Sequence, residues 1–186
     1  MPIHEARQPC GRAFFVALVA AVGQLTFCVA GAQQGAELQL GRSGTLAIPL
    51  SPGVSQVRPP LGSRALMTFE TLPGRTQLML SPMPLPQPPS KREVCNVVEN
   101  GSSEVRAKAV EKELRLLDLK GPEVEGCYYA ATDRAPTQGE HKYLYQGAVA
   151  ARDVVVMFTI LFNDGAEKEA QAALATVRGI KLVPPK

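Results

Sequence analysis

GCYYAATDR (126–134), KYLYQGAVA (142–150) and VVVMFTILFND (154–164) are the three segments that decide the fold of this chain. Each is rich in β-branched and aromatic residues, and polar turns separate them, a pattern that predicts three successive antiparallel strands. The last segment is apolar on both faces, with only Thr159 interrupting, whereas a strand exposed to water on one side alternates more cleanly. We therefore predict a central strand in an α+β fold, an antiparallel sheet with helices packed on both faces.

The turns between these segments set the expected register. If APTQG (135–139) closes a hairpin with Arg134 opposite Glu140, then Tyr129 pairs with Tyr145. With 152–153 as a two-residue turn, one face of the sheet carries Cys127, Tyr129, Tyr143, Tyr145, Phe158, Ile160 and Phe162. The opposite face carries Leu144, Ala148, Val155, Met157 and Leu161. A slip of one residue would move all of these assignments.

Residues 1–32 have the features of a secretory signal peptide. Two arginines precede a mostly apolar run over 13–30, and small residues at 30–32 provide a cleavage site. Cleavage leaves one α+β domain over 33–186, which we expect to be secreted, in the periplasm. The alternative is an uncleaved signal sequence, which would be the chain's only attachment to a membrane.

The charge of the expected mature chain excludes one class of function. Cleavage removes Arg7, Arg12 and Glu5, so the net charge falls from +3 to +2. The basic residues are dispersed, and the chain contains no tryptophan. A nucleic-acid-binding protein needs a strong, clustered positive charge, so we expect no nucleic-acid partner.

Cys95 and Cys127 are the two cysteines that remain after cleavage. An even pair in an oxidising compartment predicts a disulfide, and two free buried thiols are the alternative. A disulfide brings the two Cα atoms within roughly 4.4 to 6.8 Å of each other. We therefore expect the helix that carries Cys95 to pack on the aromatic face of the sheet, beside Cys127.

Turn residues and hydrophobic periodicity place the other strands. The expected strands before residue 90 are a frayed or edge segment over 33–40, a strand over 44–50 and a hairpin of 64–72 with 76–80. Pro49 marks the strand over 44–50 either as an edge strand or as ending there. Residues 51–63 are too rich in turn residues to predict regular structure. The proline-rich residues 81–89 predict either a stiff extended crossover, the interpretation that we favour, or a docking ligand for an aromatic groove.

Three helices are expected. Ser90 and Glu93 form a capping-box pattern that predicts a helix over 91–100, with a buried face made of Val94, Val97 and Val98. Residues 103–119 fit either helix or strand, and we expect a short helix near 103–109 and a strand near 111–119. Asp164 is expected to cap the final helix, whose buried stripe is Ala170, Ala173, Leu174 and Val177.

The segments GCYYAATD, KYLYQGAVA and VMFTILFND together resemble uncharacterised exported bacterial proteins with a PsbP-like α/β/α sandwich. The resemblance covers roughly residues 90–180. It implies a non-catalytic role in binding or assembly, because the better-known proteins of that fold bind other proteins. It supplies no site residues. Cys127 stands where an aromatic residue is expected, so the link to Cys95 is a local addition.

One polar cluster is expected at the end of the first hairpin. Its members are Asp133, Arg134, Glu140, His141 and Lys142. The functional interpretation is a polar binding tip, in which Asp133, Glu140 and His141 offer a divalent metal weak ligands. The alternative, which we favour, is an exposed tip with cross-strand ion pairs, and we expect neither a metal nor a cofactor.

No catalytic constellation is expected. His141 is the only histidine after residue 32, and the predicted register separates it from Cys127 by roughly 20 Å, too far for a nucleophile and its base. Tyr129, Tyr143 and Tyr145 either line a ligand pocket beneath a helix or belong to the core, which we favour. We expect a non-enzymatic binding or accessory protein whose partner is another envelope protein and whose surface comprises the hairpin tip and the proline-rich loop. The alternatives are a carrier of a small apolar or aromatic ligand between the sheet and a helix, and, last, an enzyme.

Overall fold

The segment at 154–164 forms the central strand of a seven-stranded antiparallel sheet, as its two apolar faces predict. The computed structural model describes residues 35–58, 67–71 and 74–185. In chain order the elements are β1 (Gly35–Gln39), a 3₁₀ turn (Gly41–Ser43), β2 (Thr45–Pro49), β3 (Val54–Val57), β4 (Met67–Thr71), β5 (Thr76–Pro84), α1 (Lys91–Asn100), α2 (Ser103–Lys108), β6 (Leu117–Lys120), β7 (Glu125–Thr132), β8 (Tyr143–Ala151), β9 (Val154–Phe162), α3 (Glu167–Arg178) and β10 (Lys181–Val183). The signal peptide predicted over 1–32 lies outside the described residues.

The large sheet has the order β3-β4-β5-β9-β8-β7-β6, and a small second sheet has the order β1-β2-β10. All pairs are antiparallel. The described residues form one compact unit. Within the described part of the chain, no helix is long and apolar enough to cross a membrane.

The predicted register is right for β8 with β9 and wrong for β7 with β8. Tyr145 pairs with Ile160, as the two-residue turn requires. Tyr129, however, pairs with Gln146 instead of Tyr145. The hairpin does not close at Arg134, because the backbone N–H of Arg134 donates to the carbonyl of Lys108 at 3.0 Å. The ladder ends one residue earlier and the connecting loop is longer than expected, which shifts the register by one residue.

This shift exchanges the two faces of β7. The α1 face of the sheet carries Cys127, Tyr129, Ala148 and Val155, and α1 packs on it. The α3 face carries Tyr128, Tyr143, Tyr145, Phe158, Ile160 and Phe162, and α3 packs on it together with the small sheet. The prediction that the helix carrying Cys95 lies on the aromatic face is therefore wrong, whereas the predicted sandwich with helices on both faces is confirmed.

The proline-rich segment is partly strand. β5 continues through Pro82 and Pro84, which pair with Val156 and Val154, so the crossover predicted over 81–89 begins later than expected. The N–H of Leu85 donates to the carbonyl of Asp153 at 2.7 Å. Because hydrogen-bonded pairs alternate along the ladder, the backbone N–H and C=O groups of the odd-numbered β5 residues point toward β9. The backbone nitrogens of Pro82 and Pro84 therefore face away from β9, where the missing N–H groups break no bond of that ladder.

Of three further strand predictions, those for residues 51–63 and 111–119 need correction. Residues 51–63 contain β3, because the turn residues end at Gly53, whose φ is positive, and Val54 to Val57 pair with β4. β2 is the centre of the small sheet, and Pro49 ends it, so the second of the two roles predicted for this proline is confirmed. The strand predicted over 111–119 is shorter than expected: it is β6, which begins at Leu117 and ends at Lys120. Glu111 instead turns its carboxylate to the N–H and hydroxyl of Thr132, at 2.9 and 2.8 Å.

The helices largely follow the prediction. α1 begins at the predicted capping box and ends before Gly101, but Val97 is exposed while Val94 and Val98 are buried. α3 has Ala166 at its N-cap, with no side-chain cap bond, so the capping role predicted for Asp164 is wrong. Its stripe is confirmed for Ala170, Leu174 and Val177, which are buried, and Ala173 is half-buried.

Candidate functional site

The predicted polar tip is divided among local contacts. The carboxylate of Asp133 accepts from the N–H of Ala135 at 2.9 Å, and the guanidinium of Arg134 donates to the carbonyl of Ala109 at 2.8 Å. The carboxylate of Glu140 accepts from the N–H of Thr137 at 3.0 Å. Asp133 and Glu140 thus bond within their own loop, whereas Arg134 bonds the end of α2, so these side chains do not converge on one binding site.

His141 does not join the acidic residues of the tip. It is half-buried, and burial lowers its pKa, although the charge of Glu70 opposes that shift. Among the residues that the structure describes, no group of three histidine, cysteine, aspartate and glutamate side chains could hold a metal. The metal interpretation of Asp133, Glu140 and His141 therefore has no geometric support.

Lys142 instead belongs to a network with Asp164. Its Nζ lies 3.1 and 3.2 Å from the two carboxylate oxygens, and the hydroxyl of Tyr143 donates to the same carboxylate at 2.6 Å. The bond from Tyr143 is the main cause of the lowered pKa of Asp164. This explains why Asp164 does not cap α3: its carboxylate holds the start of β8 beside the end of β9.

The three predicted tyrosines lie on two different faces. Tyr143 stacks on Phe162 with ring centroids 5.3 Å apart, and Tyr145 contacts the same ring at 4.9 Å, both on the α3 face. Tyr128, which the sequence interpretation missed, completes this row with its ring 5.7 Å from Tyr145. The alternating pattern would have identified Tyr128 if the register had been shifted by one residue.

Tyr129 lies on the α1 face and is only 1% exposed. Its hydroxyl donates to the side-chain carbonyl of Gln146. Burial raises the pKa of Tyr129 to about 12, against the opposing charge of Arg106. The space between this part of the sheet and α1 is filled by Val94, Val98, Cys127, Tyr129 and Ala148. A ligand carried between Tyr129 and α1 is therefore incompatible with the packing.

The raised pKa predicts an alkaline loss of stability. An unfolded tyrosine titrates near pH 10, so above that pH the unfolded state loses a proton that the folded state keeps. We expect the free energy of unfolding to fall between about pH 10 and 12, by roughly 2 to 3 kcal/mol. Denaturant unfolding at a series of pH values measures this loss. In Tyr129→Phe, most of this decrease in unfolding free energy between pH 10 and 12 should disappear, because the titrating phenol is gone. A variant with the same pH profile as the parent protein would contradict the burial of the Tyr129 hydroxyl.

A disulfide joins Cys95 of α1 to Cys127 of β7, with Cα atoms 5.7 Å apart. The pairing was predicted correctly, although on the other face of the sheet. Because Cys127 is disulfide-bonded, it cannot serve as a nucleophile with His141. The disulfide fixes the position of α1 on the sheet.

The hairpin tip and the proline-rich loop lie at opposite ends of the sheet. β8 begins at Tyr143, next to the hairpin tip, and ends at Ala151. Ala151 pairs with Val154 of β9, and Val154 in turn pairs with Pro84, where the proline-rich loop begins. At about 3.4 Å per residue, these two ends of β8 are roughly 27 Å apart. The two parts of the expected surface are therefore separate, and only a partner as large as a standard protein–protein interface could contact both.

The proline-rich end has the stronger geometric case for a binding site. A groove of about 440 Å³, which we call the proline groove, is lined by Met83, Leu85, Pro86, Gln87, Pro88, Pro89, Glu93, Val94, Val97 and Val155. Eight of these ten residues are apolar. Met83 and Val97 are 47% and 49% exposed, respectively, so the β5 wall and the α1 wall both present apolar surface inside one groove.

Each wall of the proline groove is held by its own bonds. One wall follows β5, where Met83 pairs with Val155 and the N–H of Leu85 bonds to Asp153. The other wall is α1, whose first turn is fixed by the capping box of Ser90 and Glu93. The bond from the Ser90 N–H is the main cause of the lowered pKa of Glu93, so its carboxylate is already engaged. Backbone hydrogen bonds therefore hold both walls in place, and the lining is mostly apolar. The proline-rich wall was part of the predicted surface, but the α1 wall was missed because Val97 fits the buried stripe of α1.

A second, smaller cavity of about 160 Å³ lies near the tip, between α2 and the end of β7. It is lined by Glu104, Val105, Lys108, Ala109, Ala131, Thr132, Asp133 and Leu144. Its mixed lining and small volume make it a weaker candidate than the proline groove.

No family model matches the sequence, and no curated protein is similar to it. Several solved structures are similar in fold, and they include the following two. Cyanobacterial PsbP (CyanoP) from Synechocystis has a TM-score of 0.50 at 11% identity, and the match covers 87% of this chain and all of that one. A protein from Bacteroides thetaiotaomicron has a TM-score of 0.50 at 7% identity, over 81% of this chain and 49% of that one. This chain thus spans about half the length of the Bacteroides protein. The predicted PsbP-like α+β sandwich is confirmed.

Proposed function

We propose that this PsbP-like chain is a secreted, periplasmic binding or accessory protein without catalytic activity, and that it binds its partner in the proline groove. The signal-peptide pattern over 1–32 supports export. The Cys95–Cys127 disulfide is compatible with an oxidising compartment. The observation that carries the choice of site is the exposure of Met83 and Val97 on facing walls of one groove.

The physical properties of the groove favour an apolar side chain as the bound group. Burial of apolar surface contributes roughly 25 cal/mol per Å², and Met83 and Val97 both have surface left to bury. The wall at 86–89 is rich in proline, so little conformational entropy is lost when it is ordered against a partner. Met83 is unbranched and flexible, which lets it adapt to the shape of the bound group.

The partner that fits these properties is another envelope protein. A groove of this size accepts one or two apolar side chains of an exposed segment. The low net charge gives no reason to invoke a nucleic acid. A membrane would be contacted only through an uncleaved signal sequence.

The test uses a photoreactive amino acid at position 97 in cells with an intact envelope. We expect a discrete crosslinked species from position 97, and an apolar-to-charged change in the facing wall, Met83→Asp, should lower its yield by about tenfold or more. Position 110 is the matched control, because Val110 is also exposed but lies outside the groove. Asn96→Asp is the control for charge, because Asn96 is exposed on α1 and does not line the groove.

Equal crosslinking from positions 97 and 110, or a yield that Met83→Asp leaves unchanged, would exclude the proline groove as the binding surface. Thermal melts of the variants are needed beside the crosslinking. A lowered yield counts only where the melting temperature stays within a few degrees of the parent protein.

A small apolar ligand is the second candidate, because about 440 Å³ lies in the range of natural ligand pockets and the groove is bounded by both β9 and α1. Native mass spectrometry of the purified protein separates the two functions. A reproducible bound small molecule that Met83→Asp removes would favour the carrier. A ligand-free protein that still gives the crosslink at position 97 would favour the protein partner.

A further inference from the structure

β6 is an edge strand with an unusual arrangement of charge. It ends the large sheet, and no other strand in the described ranges 35–58, 67–71 and 74–185 pairs with its outer side. Its sequence is Leu-Asp-Leu-Lys, with Asp118 and Lys120 on the α1 face. Leu116 and Leu117, at its start, are 37% and 45% exposed. Exposed leucines on an unpaired edge predict pairing with another strand.

The hydrogen bonding of β6 shows which backbone groups are available. The N–H of Gly121 donates to the carbonyl of Val124 at 2.8 Å across the turn to β7. Because hydrogen-bonded pairs alternate along an antiparallel ladder, Leu119 and Leu117 also bond to β7. The N–H and C=O groups of Asp118 and Lys120 therefore point outward, away from the sheet.

A second copy of β6, related by a two-fold axis, could pair with this edge in two kinds of register that keep the faces aligned. In the first kind, Asp118 lies opposite Asp118 of the second copy, or Lys120 lies opposite its Lys120, and like charges directly opposite are destabilising. In the other, Asp118 lies opposite Lys120 of the second copy, and Lys120 lies opposite its Asp118. The outward backbone groups of each such pair then exchange both hydrogen bonds, and Leu119 of one copy lies opposite Leu119 of the other.

The second register also extends a row of alternating charge across the boundary. Within one chain, Lys120 lies opposite Glu125 on β7, and the Nζ of Lys91 lies 2.7 Å from the carboxylate of Asp118. Pairing of Asp118 with Lys120 of the second copy produces one row of charges across the interface, positive and negative in turn. The row runs from Lys91 and Asp118 of one copy to Lys120 and Glu125 of the other. Charged residues usually protect an edge from pairing, but here the two signs alternate and are self-complementary.

We propose that two copies of this chain associate through β6, antiparallel, with Asp118 of each opposite Lys120 of the other. The contact continues the seven-stranded sheet of one copy into that of the next. It covers Leu117, which then lies over Gly121 of the second copy, a position with no side chain. A four-residue strand gives a small interface, so the association is weak and depends on concentration.

Charge reversal tests the proposal, because an unfolded variant could not recover association when it is mixed with the oppositely charged variant. Asp118→Lys leaves two positive charges on the edge, and Lys120→Asp leaves two negative charges. By sedimentation equilibrium at low salt, we expect the purified protein to dimerise and each variant alone to bind itself at least about tenfold more weakly. An equimolar mixture of the two variants should associate again, because each positive edge then faces a negative one.

Lys168→Glu, a charge reversal on the exposed side of α3, is the matched control and should dimerise like the parent protein. Two results would overturn the proposal. One is a parent protein that stays monomeric at millimolar concentration. The other is a mixture of the two variants that associates no better than either variant alone. Crosslinking at position 97 does not involve β6, so its outcome is independent of this test.

Discussion

Cys95→Ser is expected to lower the free energy of unfolding by about 3 to 4 kcal/mol. The disulfide closes a loop with a sequence separation of 32, and the chain-entropy relation gives a stabilisation of this size for such a loop. In a domain of this size each kcal/mol corresponds to roughly 2 to 4 °C, so the melting temperature should fall by about 6 to 16 °C. Denaturant titration and calorimetry measure the two quantities.

Cys95 is the better of the two positions for this test, because it is half-buried whereas Cys127 is buried. A serine at 95 therefore adds little cost of its own, and the loss reports the crosslink. The parent protein in excess reductant should show the same loss, and reductant should have no further effect on the variant. A variant within about 1 kcal/mol of the parent protein would show that packing of Val94 and Val98, and not the disulfide, holds α1.

This loss of stability bears on the proposed function. Val94 and Val97 line the proline groove, and both lie on α1 within two residues of Cys95. An α1 that is no longer tied to β7 would not hold one wall of the groove in place. The disulfide thus links the stability of the fold to the geometry of the candidate site.

The central part of the fold was predictable because its signals are local. β9 is apolar on both faces, and a two-residue turn fixes its register with β8 without help from the rest of the chain. The start of α1 is equally local, because Ser90 and Glu93 satisfy each other's backbone N–H groups. Such features depend on residues only a few positions apart.

The β7–β8 register could not be predicted because it depends on a distant contact. Arg134 leaves the hairpin to bond the backbone of Lys108 and Ala109, which precede it by about 25 residues. Nothing in the residues around 134 indicates that contact. A one-residue shift then moved Cys127 and Tyr129 to the α1 face and replaced Tyr129 by Tyr128 in the aromatic row.

The proline groove was harder to predict than the fold, because more of its geometry depends on contacts between residues that are distant in the sequence. The proline groove exists because β5 continues through Pro82 and Pro84, which places Met83 beside Val155. A proline run ordinarily argues against a strand, and only the pairing with β9 shows that these two nitrogens face away from the ladder. Val97 has the spacing of a core residue, but no element of the described structure covers that side of α1.

Tyr129→Ala is expected to cost about 3 to 5 kcal/mol of unfolding free energy, whereas Tyr128→Ala should cost only about 1 to 2. Tyr129 is enclosed in the core beneath α1, so truncation leaves a cavity and removes the donor to Gln146. Tyr128 is half-buried at the margin of the α3 face, where water can fill much of the space. Denaturant unfolding of the two neighbouring variants measures the difference.

Double-mutant cycles make the same comparison a test of the register itself. Tyr128 and Tyr145 are in edge-to-face contact, so the pair should show a coupling of about 0.5 to 1.5 kcal/mol. Tyr129 and Tyr145 lie on opposite faces of the sheet and should show almost none. If β7 were shifted by one residue, the coupling would appear between Tyr129 and Tyr145 and disappear for Tyr128. That result would return Tyr129 to the aromatic row and remove Cys127 from the α1 face.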